Sequence, residues 1–460
     1  MEEIQKVLDS QNENDFEQYI SNISKSDFNN FVGSAFQIVS KKDGNRYIKN
    51  VFNSIYRMIQ DEETCEMFAL SKNYSSLVFF IDIFLDGVFE ILYLVSKSSP
   101  NQFYRFGEDA MSKIIEKDPS KSLVVFNNLL PEIEEIHEKR ETFIPLFTNF
   151  RYFVNISSNY VAFLLKTVES IGSMHDQCWN ALLGLIQVCP IGETSHCLNA
   201  LSYLLDFNND LKSLGFPNEK LGEIISNDES LNSALSFILR YHPEFNQENI
   251  VSSLIGQIHK DKLVVVVLYE LANKPEYGLL ISKNTNWLRK PFINLPMILK
   301  LFTFLMANPT YRQELAKTKY VASFFSHLLG SSEKCILVSY YMRRIPIDKH
   351  FLKAIDNSKL VDKYRNIVLE KKETQLIVSF LVLIDTISKN GFLSSFAVVL
   401  DDLFMYLDDK SLVVYALSSI KGFCRFKELV PLVSKRKSQL TQLLTNPSIK
   451  EMVSEILKCL

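Results

Sequence analysis

The chain has 460 residues, 47% of them hydrophobic, with 34 Phe and 19 Tyr, so it holds ample apolar surface for a large core and does not have the composition of a disordered segment. Glycine and proline number 14 each, about 3% apiece against a usual glycine share of about 7%, too few for many tight hairpins or phosphate-cradling loops. Fifty Lys and Arg against 53 Asp and Glu give a net charge of −3, without the basic excess of a duplex-binding protein, so nucleic acid is not an expected partner.

The opening Met1-Glu2-Glu3-Ile4-Gln5-Lys6 is acidic and lacks an apolar core, so it does not read as a secretory signal. Amphipathic helices follow at Phe16 to Ile23 and Phe28 to Val39. They lack the Lys/Arg-rich polar face of a membrane-docking helix, and residues 1–60 are expected to cap an array of helical repeats that continues through 61–460. The most hydrophobic stretch, Leu77 to Val95, carries Asp82, Asp86 and Glu90. Each such charge costs about 2.5 to 3.5 kcal/mol near a bilayer centre, so no membrane span is expected. Joints at Ser96 to Gln102, Asn155 to Asn159, Asp206 to Asn218 and Trp287 to Pro296 are too short for flexible linkers. One continuous array is expected.

Seven cysteines, an odd number scattered from Cys65 to Cys459, fit free buried thiols in a reducing compartment, and the expected location is the cytoplasm, with the nucleus compatible. The densest group of metal-capable side chains is His175, Cys178, Cys189, His196 and Cys197. A structural zinc site shows two close ligand pairs, whereas only His175 and Cys178 approximate one, on a segment that Trp179, Leu182 and Leu183 mark as an apolar helix. Buried thiols and no metal or cofactor are the expectation. Glycine-rich nucleotide loops, the kinase signature set and the Gly-x-Ser-x-Gly elbow are missing. The acidic pairs Glu134-Glu135, Asp401-Asp402 and Asp408-Asp409 are sequence neighbours, which point to different sides of a helix and read as solvated faces. The short basic clusters Lys41-Lys42, Arg343-Arg344 and Lys435-Arg436-Lys437 read as surface.

In the second half, apolar residues recur at helical spacing: Met297, Ile298, Leu301, Phe302 and Leu305; Val321, Phe324, Phe325, Leu328 and Leu329; Leu376, Ile377, Phe380, Leu381, Ile384 and Ile387; Leu412, Val413, Ala416, Leu417 and Ile420. The β-branched run Leu263 to Leu268 continues into Tyr269-Glu270-Leu271-Ala272 without a breaker and predicts a buried helix. Proline marks joints at Pro190, Pro243, Pro275, Pro309 and Pro346, the last three 34 and 37 residues apart. Asn308-Pro309-Thr310-Tyr311-Arg312 and Asn446-Pro447-Ser448-Ile449-Lys450 share one pattern 138 residues apart. It predicts an Asn N-cap followed by proline at the first helical position.

The passage Leu299 to Leu329, above all Leu305-Met306-Ala307-Asn308-Pro309 and Arg312-Gln313-Glu314-Leu315, resembles an armadillo repeat junction, in which a short helix turns the chain between two longer ones. Leu271-Ala272-Asn273-Lys274-Pro275 and Ala416-Leu417-Ser418-Ser419-Ile420 echo it, mainly within residues 180–460. A HEAT-like array fits the same pattern. The resemblance implies an all-α fold, a right-handed α-α superhelix whose groove takes extended peptides or protein surfaces. The asparagine ladder of peptide-binding armadillo proteins is absent, since the matching positions are Glu270, Leu305, Thr386 and Ser419.

The expected function is a non-enzymatic scaffold that binds protein partners along the long helices, through Tyr269, Glu270, Lys300, Thr303, Asp385, Thr386, Tyr415 and Ser419. The chain ends inside the periodic helix Glu451 to Leu460, which fits either an edge open to a partner or a fragment of a longer parent. Alternatives are a regulatory or localisation module that accompanies a catalytic domain such as a kinase, and an α-helical enzyme with an unfamiliar site.

Overall fold

The computed structural model describes residues 2–10, 13–41, 44–132, 141–171, 174–242, 248–289, 294–317, 321, 324 and 328–460. All regular elements among them are α- or 3-10 helices and none is a strand. The calls on Lys42, Glu134-Glu135, Pro243 and Phe325 lie outside the described residues. The chain forms two compact units, Met1–Lys220 with Asn227–Tyr241, and Leu221–Ser226 with His242–Leu460.

Each unit is organised around a row of helices laid side by side. In the first unit the row is α1 (Ile48–Met58), α2 (Leu85–Ser98), α3 (Pro119–Leu129), α4 (Ser157–Ile171), α5 (Thr194–Phe207) and α6 (Leu231–Tyr241), each packed on the next. In the second it is α7 (Lys262–Ala272), α8 (Leu295–Ala307), α9 (Ser332–Met342), α10 (Thr374–Ser388), α11 (Val413–Phe423) and α12 (Lys450–Cys459). Row helices follow one another at roughly forty residues, the period of a helical-repeat array. A second layer backs each row: His175–Val188 packs on α4 and α5, Pro275–Lys283 on α7, Leu360–Lys371 on α10 and Phe396–Met405 on α11.

The apolar stripes are the buried faces of the row helices. On α8, Ile298, Leu299, Leu301, Phe302, Leu305 and Met306 are all buried, and complete burial of each large side chain contributes about 1.5 to 3 kcal/mol. The β-branched run Leu263 to Leu268 lies within α7, with Val264, Val265, Val267 and Leu268 in the core. Burial on one helical face outweighs the weak strand preference of valine there. The Asp261 carboxylate starts that helix by accepting from the Leu263 N–H at 2.6 Å.

Two of the proline joints behave as predicted. Pro275 and Pro309 each open a helix, and Asn308 Oδ1 accepts from the N–H groups of Thr310 and Tyr311 at 2.9 and 3.4 Å. Two differ. Pro346 lies in the connection ahead of a helix that Asp348 caps. Asn446 bonds the Ser448 N–H at 3.1 Å within a turn, and α12 begins only at Lys450.

Small side chains mark where helices come closest. Ser339 Oγ donates to the Ser379 carbonyl at 2.7 Å, tying α9 to α10, and Ser419 Oγ donates to the Leu381 carbonyl at 3.1 Å, tying α11 to α10. In the second layer, a Cβ on Gly278 would meet the Tyr311 ring at 2.6 Å, so Pro275–Lys283 and Pro309–Ala316 can approach there only because the residue is glycine. No helix among the described residues is long and apolar enough to cross a membrane. Leu77 to Val95 divides into a 3-10 turn, Leu77–Phe80, and the start of α2.

Candidate functional site

The eight residues expected to meet a partner all lie on the second row: Tyr269 and Glu270 on α7, Lys300 and Thr303 on α8, Asp385 and Thr386 on α10, Tyr415 and Ser419 on α11. The structure brings them together in two groups. On α7 and α8, the Lys300 ammonium stands 4.3 Å over the Tyr269 ring, which meets Phe304 edge-on with centroids 5.6 Å apart. On α10 and α11, the Asp385 carboxylate accepts from Lys389 Nζ at 2.6 Å and from Ser418 Oγ at 2.9 Å, so its charge is already engaged. Thr386 Oγ1 turns back to the Val382 carbonyl at 2.8 Å, as helical threonines often do.

Ser419 must be corrected. It is 0% exposed, with its hydroxyl spent on the Leu381 and Tyr415 carbonyls, and it serves the contact between α10 and α11. The Thr303 hydroxyl is also buried, without a hydrogen-bond partner, so only the aliphatic part of that side chain can face outward. Tyr415 remains 39% exposed.

On α9, between the two groups, lies a feature the helical spacing did not single out. Tyr340 is 42% exposed, the Arg344 guanidinium stacks 3.6 Å over its ring, and Tyr341 stands perpendicular to it at 5.2 Å. The signal in the sequence was Tyr340-Tyr341 followed by Arg343-Arg344, two aromatics within reach of two guanidiniums on one helix end.

The first row contains a groove of about 480 Å³ across α1, α2 and α3. Phe89 and Val125 form its floor, and Tyr56, Glu90, Tyr93 and Val124 its sides. Lys121 donates to Asp86 and holds its ammonium 5.8 Å over the Phe89 ring. The Asp86 hydrogen bond raises the pKa of that lysine. The sequence offered Asp86 and Glu90 only as charges that break a membrane span; that they share a groove with Tyr56 of the neighbouring helix depends on how α1 and α2 pack.

The His/Cys segment has the layout of a core. Cys178 and Cys197 are fully buried, and burial pushes both thiols far up and the Cys189 thiol to about 11. Zinc takes the thiolate, the form this environment disfavours. His196 is exposed beside buried Cys197, so the two side chains leave the helix in different directions. Among the described residues no three His, Cys, Asp or Glu side chains are grouped to hold a metal ion. The adjacent carboxylates likewise diverge: Asp402 is buried against Arg365, whereas Asp401 is exposed and meets Arg436 at 3.3 Å. Asp409 accepts the N–H and Oγ of Ser411, which lowers its pKa and fixes a turn.

No protein-family profile matches this chain, and no curated protein matches it in sequence. Among solved structures, a chain from the study "A conserved phosphorylation switch controls the interaction between cadherin and beta-catenin in vitro and in vivo" aligns with 93% of this chain and 90% of its own length. The identity is 14% and the TM-score 0.39.

Proposed function

We propose that this protein is a non-enzymatic scaffold that binds other proteins along the exposed sides of its helix rows. The observation that supports this is the series of large aromatic side chains left half open to solvent on row helices of one unit: Tyr269 on α7, Tyr340 on α9 and Tyr415 on α11. Tyrosine and arginine dominate the energetics of protein interfaces, and here they stand on helices whose other faces are locked in a core. A surface fixed in advance loses little conformational entropy when a partner docks. The seven free cysteines support a reducing compartment such as the cytoplasm.

The test combines Tyr269→Ala, Lys300→Ala, Thr386→Ala and Tyr415→Ala in one chain. None of the four side chains is buried, so the melting temperature should stay close to that of the wild type. Proteins retained by the wild-type chain from native extract should be lost from the variant. An unchanged set of retained proteins would remove this face from consideration.

A further inference from the structure

We propose that the groove formed by α1, α2 and α3 receives an arginine side chain from an apolar-flanked segment of a partner protein, with Glu90 as its counter-charge and the Tyr56 ring as its stacking surface. The proposal rests on the scaffold reading and specifies the chemistry of what one face of it takes.

The groove already holds one such arrangement built from its own side chains. Lys121 sets a cation against the Asp86 carboxylate and over the Phe89 ring, so a carboxylate and an aromatic face here accept a positive charge together. One turn along α2, Glu90 and Tyr56 offer the same two components. Glu90 is exposed, and no cation among the described residues lies within ion-pairing distance of it. Lys97 approaches the Tyr93 ring at 5.6 Å, whereas no cation among the described residues is placed over Tyr56. Of the charges lining the groove, Lys121 bonds Asp86 and acts on Glu90 only across space, so one cation stands against two carboxylates and the groove favours a cationic occupant. Arginine suits it better than lysine, because a planar guanidinium can stack on a ring while presenting paired N–H groups to a carboxylate. Val124, 53% exposed at the rim, supplies an apolar contact for the residue beside that arginine. The volume of about 480 Å³ lies within the ~300–1,000 Å³ of ordinary ligand clefts.

The experiment titrates the full chain with a dansyl-labelled, end-blocked peptide of sequence Ala-Leu-Arg-Leu-Ala, and with the same peptide carrying citrulline, the neutral isostere, in place of arginine. Saturable binding of the arginine peptide is expected, weakened about tenfold by citrulline and by Glu90→Gln, the loss of one charge-assisted contact. Tyr56→Leu should weaken it as well, and added salt should do so in the wild type more than in Glu90→Gln. Both positions lie at the surface, and unchanged melting temperatures would show that the variants are folded. Equal affinity for the two peptides, equal affinity of Glu90→Gln and wild type, or no binding at all would overturn the proposal. Any of these results would leave partner capture by the second row standing, because that test uses different residues and a different readout.

Discussion

Arg365 grips Asp402 through two nitrogens, Nε and Nη2, the latter 2.9 Å from Oδ1, and the pair joins second-layer helices 37 residues apart. Asp402 is 5% exposed and Arg365 24%, so both charges have given up water for each other. Removing one partner strands the other. Asp402→Ala is expected to lower unfolding free energy in urea by about 2 to 3 kcal/mol, somewhat less than the ~3–5 of a fully buried pair because the guanidinium keeps some solvent. The double variant Arg365→Met with Asp402→Leu should recover most of the loss. A double variant as unstable as Asp402→Ala would mean that packing, not charge, sets the effect.

Asp61 stands just ahead of the helix Glu62–Leu70, where Oδ2 accepts from Thr64 N at 3.0 Å and Lys25 Nζ lies 2.8 Å away. Lys25 first, and Thr64 second, pull this carboxyl from 3.8 to about 2. A folded pKa below the unfolded one means that the ionised form is favoured by folding. That stabilisation is complete above the unfolded value, near 4, and is withdrawn as pH falls through about 2. Melting temperatures of wild type and Asp61→Asn should therefore run parallel above about pH 5 and converge between about pH 4 and 2. Curves that stay parallel down to pH 2 would show that the Lys25 contact does not hold in solution.

The cysteines give a third test. Cys459 is exposed, and Cys424 is partly exposed with its thiol pushed to about 11 by burial. Cys65, Cys178, Cys189, Cys197 and Cys335 are buried. An aromatic disulfide reagent at mildly alkaline pH should find one fast thiol, Cys459, in the native chain, Cys424 more slowly, and the other five only as the chain unfolds. Fast reaction of Cys178 or Cys197, read by mass spectrometry, would show that the core around Trp179 opens readily and would reopen the question of metal binding there.

The apolar spacing alone was enough to place α8, α10 and α11, because a stripe at i, i+3 and i+4 has one way to be buried. The same reasoning carried the valine run of α7, where the absence of a breaker after Leu268 mattered more than strand preference. Capping was half legible. Asn308 bonds its helix directly, but Asn446 spends its side chain on a turn, and one local pattern serves both geometries. The site was harder to read, since spacing identifies the buried stripe but not which polar positions on its flank touch a neighbouring helix. Ser419 follows Ala416 by three residues and Leu412 by seven, which puts it on the face of the stripe itself, where a small hydroxyl can reach the Leu381 carbonyl. The groove of the first row went unseen because Tyr56 and Glu90 are 34 positions apart and meet only through tertiary packing.

Packing in which each row helix rests on its neighbours in the row and on the layer behind it has a further consequence. Disturbance should travel poorly along such a stack, since a flaw in α10 removes support chiefly from α9, α11 and the helix Leu360–Lys371 behind it, while the main contacts of α7 and α8 stay in place. Evolution can then rewrite the outward side chains of one turn of the stack without renegotiating the rest.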